Sequence, residues 1–283
     1  MRFVAFEKDG KNGLGVETSD GKLRGVTEDD PGWQGDLDDL VRSGRLKEAA
    51  QALQAGGAVD PETVTITLPF RRAGKVLCVG LNYADHAKES KMDVPSFPTV
   101  FVRFNSNFVP HGANLVRPGI SDQFDYEGEL VAVIGKAGRS ITVEDALDHV
   151  AGYTIFNDGS IRDFQLRTNQ WTIGKNFDQT GALGPCFVTA DDLPTGARGL
   201  RLTTRLNGEV MQDATTDDLI FSVADLVSHL SVGMTLEPGD LIVTGTPSGV
   251  GFARDPQVFM KPGDVCEIEV EKIGLLRNSV VAA

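Results

Sequence analysis

Seven short apolar runs recur between Lys75 and Gly274, and they limit the chain more than any other feature. They are KVLCVG (75–80), TVFVRF (99–104), ELVAVIG (129–135), VAGYTIFND (150–158), LRLTTRLNG (200–208), DLIVTGTP (240–247) and VCEIEVEKIG (265–274). Their length, β-branched content and Gly, Pro or charged flanks read as strands. Helical spacing is clear in one interval, Thr215 to Leu230. There Thr215 and Asp218 have capping-box spacing, and Leu219, Val223, Leu226, Val227 and Leu230 form an apolar stripe. A shorter helix is expected at Val143 to His149. Pro-Gly-Asp at 238–240 and 262–264 sets chain reversals before strands. Many strands with irregular connections predict a mixed, mostly β fold with short helices, not a doubly wound sheet.

Residues 1–70 have a different texture. Strand-like pieces (MRFVAF, LGVETSDG, LRGV, VTITLPF) flank a helical candidate from Leu37 to Ala55, ended by Gly56-Gly57, and Asp20-Gly21 is a hairpin signal. A small N-terminal α+β domain over 1–70 and a larger unit over 71–283 are expected. An apolar content of 41% in 283 residues supports a substantial core. The net charge of -13, with no Lys/Arg cluster, argues against a nucleic-acid partner. No run of about 18 apolar residues and no long apolar segment near the start point to a membrane or a secretory signal, so a cytoplasmic location is expected. Cys78, Cys186 and Cys266 lie far apart in apolar surroundings without C-x-x-C spacing, and are expected to be buried free thiols. No G-x-G-x-x-G or Walker motif marks a nucleotide site.

The chemistry concentrates around FDYEGELVAVIG, residues 124–135. Residues two apart on a strand share a face, so Glu127 and Glu129 present two carboxylates to one point while Tyr126 and Gly128 face the other way. Two adjacent ionised carboxylates repel unless a cation or a shared proton compensates. A solvated sheet edge gives the same spacing without a ligand. Asp158, at the end of the apolar strand Tyr153–Phe156, supplies a third oxygen ligand, or alternatively caps a turn before Gly159. Three carboxylates without His or Cys suit a hard ion, Mg²⁺ or Mn²⁺, with Ca²⁺ as a substitute.

Arg162, Gln165, Lys175 and Thr246 could bind an oxoacid through charge and hydrogen bonds. Each also has a plain structural use: Arg162 as partner of Asp163 or Asp158, Lys175 as a solvated charge, Thr246 as the cap of a Gly/Pro turn. The glycines of GTPSGVG serve tight turns or a close backbone approach to a ligand. His86 and Glu89, three apart, meet on one helical turn and form a candidate acid–base pair. His111, His149 and His229 lack such a partner pattern and are read as structural.

Taken in order, LNYADHAKE, DYEGELVAVIGK, GYTIFNDGSIRDFQ, WTIGKNFDQTGALGP, NGEVMQ and GDLIVTGTPSGVG resemble the fumarylacetoacetate hydrolase (FAH) family from about Lys75 to Val280. The N-terminal part is similar to the short domain of many bacterial members. The resemblance implies a mixed β-sandwich roll, usually a homodimer, with Mg²⁺ or Mn²⁺ on Glu127, Glu129 and Asp158. It implies His86 and Glu89 as the dyad of a lid, Lys175 facing a substrate carboxylate or enolate, and Arg162, Gln165 and Thr246 in the pocket. Cys78-Val79-Gly80 stands where the longer fumarylacetoacetases carry a further aspartate ligand, which aligns the chain with the smaller bacterial acylpyruvase- and isomerase-like members.

The activity this implies is metal-dependent hydrolysis of a carbon–carbon bond in an acylpyruvate-like 2,4-dioxoacid. Alternatives on the same site are oxaloacetate decarboxylation, isomerisation of a 2-hydroxymuconate-type diacid, and hydrolysis or dehydration of a sugar-derived deoxy-ketoacid. A non-catalytic, metal-dependent oxoacid-binding protein is a further class. SKMDVPSFP (90–98) and RTNQW (167–171) are expected to shape the pocket, with Arg167 either reading a second substrate carboxylate or serving as a surface charge.

Overall fold

The computed structural model describes residues 1–89 and 95–283; the first five residues of the expected pocket-shaping segment 90–98 lie outside them. The fold is mixed and mostly β, a sandwich roll with short helices. Among the described residues the larger sheet has twelve strands. Its centre runs Gly181–Thr189, Val150–Asp158, Gly128–Ile134, Leu241–Val243, Val76–Gly80 and Thr99–Val102. On the other side, Arg2–Lys8 pairs antiparallel with Gly181–Thr189, placing Phe3 opposite Phe187, and Lys11–Glu17 and Leu23–Thr27 continue the sheet. A second sheet of five strands runs Glu209–Thr215, Arg201–Leu206, Val265–Val270, Gly274–Ala282 and Leu115–Arg117.

The strand Gly128–Ile134 is buried along its whole length, which explains an apolar run without polar alternation. Leu130, Ala132 and Ile134 pack with Leu202, Ile268 and Leu276 of the five-stranded sheet. Val131 and Val133, on the opposite face, join a second core with Phe101, Phe156, Phe187 and the N-terminal residues Phe3, Leu37 and Leu40. Gly128 faces the five-stranded sheet, where a Cβ would overlap Thr204 Oγ1. Glu129 shares the face of Val131 and Val133.

Three helix expectations need correction. The interval Leu37–Ala55 forms two helices, Leu37–Ser43 and Leu46–Gln54. Gly44 between them sits at φ +69°, in the left-handed region that glycine adopts without a Cβ penalty. The Thr215/Asp218 capping box closes only a 3₁₀ turn, Thr216–Asp218; a second box, Ser222/Asp225, opens the helix Val223–Gly233. Asn82 separates the two: its backbone carbonyl accepts the Ile220 N–H and its side-chain oxygen accepts the Phe221 N–H at 2.7 Å, holding this linker out of the helical ladder. The expected helix Val143–His149 is a 3₁₀ segment, Ala146–His149.

The segment read as one strand, 265–274, is a hairpin whose second arm is Gly274–Ala282. Gly181–Thr189 was not expected as a strand, because GALGPCFVT carries two glycines and Pro185. The expected hairpin at Asp20-Gly21 joins Lys11–Glu17 to Leu23–Thr27, with Gly21 at φ +76°. All three cysteines are free and buried.

Candidate active site

The strands Gly128–Ile134 and Val150–Asp158 lie side by side with Gly128 opposite Asn157, so their adjacent ends bring Glu127, Glu129 and Asp158 to one mouth. One backbone bond and one side-chain bond lock this register: the Asp158 N–H donates to the Glu127 carbonyl at 2.9 Å, and the Glu127 N–H donates to the side-chain Oδ1 of Asn157 at 3.1 Å. One carboxylate oxygen from each of the three acids lies within 4.8 Å of the others, and all three residues are buried.

The acids are embedded in a buried charge network. Lys175 Nζ lies 2.6 Å from Glu127 Oε2 and 2.7 Å from Asp158 Oδ2. Arg162 reaches Glu127 Oε1 at 2.7 Å and Asp125 at 2.8 Å, while Arg103 donates to Asp158 Oδ1 at 2.6 Å. Among the described residues Glu129 has no cationic partner at hydrogen-bond distance; its Oε2 accepts the Gly245 N–H at 2.6 Å. Among the described residues four carboxylates (Asp125, Glu127, Glu129, Asp158) thus face three cations, one negative charge in surplus when all four acids are ionised.

The titration behaviour follows. Burial opposes ionisation of Glu127, but Lys175 and Arg162 outweigh it and hold the carboxyl down at about 2. For Glu129 burial acts first, Asp158 and Glu127 add repulsion, and the carboxyl is pushed well above the usual range. A divalent cation between the three acids would remove that repulsion, and an all-carboxylate donor set matches hard ions such as Mg²⁺ and Mn²⁺. The residues present therefore fit the metal.

A cavity of about 80 Å³ opens on this cluster; His86, Glu127, Glu129, Arg162, Gln165, Lys175 and Thr246 all line it. Leu81, Phe101, Trp171 and Phe252 supply apolar wall. His86 Nδ1 is 2.8 Å from Glu89 Oε1, as the three-residue spacing on the helix Ala84–Glu89 implies. Nδ1 is committed to Glu89, so Nε2 is the ring nitrogen left for chemistry. Gln165 Oε1 accepts from Arg162 NH1 at 2.8 Å, which leaves its amide N–H groups for other partners.

Lys175, expected to face a substrate, has its ammonium on Glu127 and Asp158. Thr246 lines the cavity, yet its hydroxyl donates to the Gly128 carbonyl and accepts from Gln212 Nε2. Arg162 pairs with Asp125 and Glu127, not with Asp163 or Asp158. Trp171 packs on Phe101 with ring centroids 5.5 Å apart. Arg167 is exposed, lies over the Phe164 ring and approaches Asp163.

Several site residues escaped the sequence reading. Asp125 is fully buried and binds Arg162 together with the N–H groups of Gly251 and Phe252. Gln212, in the NGEVMQ motif, accepts the Gly128 N–H at 3.0 Å and reaches Thr246. Arg103, at the end of TVFVRF, pins the outer oxygen of Asp158. The glycines of GTPSGVG are explained by the same network: the backbone N–H groups of Gly245, Gly249 and Gly251 bind the carboxylates of Glu129, Glu89 and Asp125. Cys78 is buried close enough to Asp158 and Glu129 to feel their charge, and Val79 and Gly80 line the cavity.

Comparison with known proteins adds an independent line. The family model described as "Fumarylacetoacetate (FAA) hydrolase C-terminal" matches residues 75–281. The human mitochondrial oxaloacetate tautomerase FAHD2A is 41% identical over 289 residues, covering 99% of this chain and 92% of the relative. A fumarylacetoacetate hydrolase from the psychrophile Exiguobacterium antarcticum superposes with a TM-score of 0.89 at 35% identity, over 100% of both chains. A maleylpyruvate hydrolase from Sphingobium sp. SYK-6, solved with manganese(II) and pyruvate, superposes with a TM-score of 0.81 at 27% identity, again over 100% of both chains.

Proposed function

This chain belongs to the fumarylacetoacetate hydrolase family, and from that membership we propose that it is a metal-dependent tautomerase or isomerase of a small 2-oxo dicarboxylic acid, with oxaloacetate as the lead substrate. The observation that carries this reading is the near full-length match to an oxaloacetate tautomerase. The carbon–carbon hydrolysis expected from sequence becomes the second reading, supported by the maleylpyruvate hydrolase neighbour.

Keto–enol interconversion moves one proton between C3 and the 2-oxygen and breaks no carbon bond. Glu127, Glu129 and Asp158 would hold Mg²⁺ or Mn²⁺, which when bound polarises the substrate carboxylate and 2-oxo group. His86 exchanges the proton through Nε2, with Glu89 fixing the opposite ring nitrogen. Gln165 offers its amide N–H groups to a substrate carboxylate. With all four carboxylates ionised, a divalent ion would turn the surplus negative charge of the buried cluster into one surplus positive charge, which would suit an anionic substrate. The apolar wall keeps bulk water from competing for the transferred proton. The same reading includes a homodimer in the cytoplasm, checked by sedimentation and by cell fractionation.

The test is a single preparation assayed with enol-oxaloacetate and with an acylpyruvate, each with Mn²⁺ and with a chelator. Metal-dependent loss of enol absorbance without pyruvate release supports tautomerisation; pyruvate release from the acylpyruvate supports hydrolysis. Inactivity on both substrates refutes an enzyme of either kind.

A further inference from the structure

Lys175 is the one cation among the described residues whose charged group contacts two members of the Glu127, Glu129, Asp158 cluster. Arg162 touches Glu127 and Arg103 touches Asp158, each on one oxygen, Oε1 and Oδ1. Lys175 takes the remaining oxygens, Oε2 of Glu127 and Oδ2 of Asp158, at 2.6 and 2.7 Å. Its ammonium thereby bridges the two acids, as a cation bound between them would.

The residue is 1% exposed, and its ammonium lies over the Phe101 ring, 5.0 Å from the centroid. Burying an ammonium is costly unless it is paired, and here the pairing is with the acids that the metal needs.

We infer that Lys175 is an internal counter-cation that holds Glu127 and Asp158 together before the ion arrives and then competes with the ion for them. The inference rests on the metal-site reading above. Two consequences follow. The site stays assembled without metal, because mutual repulsion of Glu127 and Asp158 is neutralised in place. The ion is held less tightly than three buried carboxylates alone would hold it, because a positive charge a few ångströms away repels it at low effective dielectric.

A merely structural lysine gives the opposite expectation: its removal damages the site and weakens metal binding. A gain in affinity therefore separates the two roles. Lys175→Met removes the charge, and Lys175→Gln removes it while keeping an amide that can bond to one of the acids. Mn²⁺ is titrated calorimetrically into wild type and both variants, and thermal unfolding is followed with and without Mn²⁺.

The expected result is that both variants bind Mn²⁺ at least about 10-fold more tightly than wild type. They also unfold at lower temperature without the ion and gain more from Mn²⁺ than wild type does. Equal or weaker affinity in folded variants overturns the inference while leaving the metal site standing. No Mn²⁺ binding by wild type overturns the metal site and this inference with it. Should either variant fold only when Mn²⁺ is present, the counter-cation role is supported; failure of both to fold even with saturating Mn²⁺ contradicts it.

Discussion

His86 Nδ1 and Glu89 Oε1 are 2.8 Å apart, and the same Glu89 carboxylate accepts the Gly249 N–H at 2.9 Å. The imidazole is thus oriented by a carboxylate that is itself anchored to the glycine-rich loop. Replacing His86 by Ala removes the proposed proton-transfer group without touching Glu127, Glu129 or Asp158. Turnover of enol-oxaloacetate should fall about 100-fold or more, in the range of general acid–base contributions. Mn²⁺ affinity, measured by calorimetry, should stay within about threefold; a large loss would place His86 among the metal-binding groups.

Glu129 differs from its neighbours in lacking, among the described residues, a cationic partner at hydrogen-bond distance. Glu129→Gln keeps the shape and an oxygen for the Gly245 N–H while removing a carboxyl whose ionisation burial, Asp158 and Glu127 already oppose. The ion-free variant should be as stable as wild type or more so in urea unfolding, yet bind Mn²⁺ at least about 100-fold more weakly. Unchanged Mn²⁺ affinity would remove Glu129 from the metal centre.

The legibility of the site was uneven, and the reason is geometric. Glu127 and Glu129 were readable because strand periodicity fixes which side chains share a face, and His86 with Glu89 because helical spacing brings residues three apart together. Arg103, Asp125 and Gln212 act on partners 55, 37 and 84 residues away, and no local spacing reports such pairs. For the fold, the continuous apolar run 130–134 announced a strand buried on both faces. The start of the main helix was misplaced because Thr215 and Ser222 both carry capping-box spacing, and only the tertiary clamp from Asn82 selects Ser222. Gly181–Thr189 was hidden because its glycines and Pro185 contradict strand propensity, while its pairing on two sides overrides it.

Gly128 lies between the two glutamates and directly beneath the five-stranded sheet. A Cβ there would overlap Thr204 Oγ1 and come within 3.1 Å of Ile268 Cγ2. Gly128→Ala should cost about 1–3 kcal/mol in urea unfolding, as overpacked cores do. Adding Thr204→Ala removes the first clash and should recover at least half of the loss. Strict additivity of the two losses would show that these side chains do not meet.

The three thiols are buried, and burial pushes Cys186 and Cys266 up to about 12 from an ordinary 9.0, with Cys78 raised as well. A group whose folded pKa is raised contributes stability fully below its unfolded pKa and loses it as pH rises towards the folded one. Stability should therefore decline above about pH 9, by about 1.4 kcal/mol per pH unit for each thiol that ionises only on unfolding. Native protein at pH 8 should leave all three thiols unmodified by a disulfide reagent, and denatured protein should release all three. Rapid modification of the native protein would contradict the packing around them.

The proposed tautomerase activity requires one divalent ion held by Glu127, Glu129 and Asp158 beside the His86–Glu89 pair. The most direct measurement is the rate of enol-to-keto conversion of oxaloacetate over a Mn²⁺ titration, with pyruvate assayed in the same samples. A rate that rises in step with calorimetric Mn²⁺ occupancy, returns to the uncatalysed value on chelation and leaves no pyruvate is the predicted result. A rate indifferent to Mn²⁺, or an enol loss matched mole for mole by pyruvate, would contradict it.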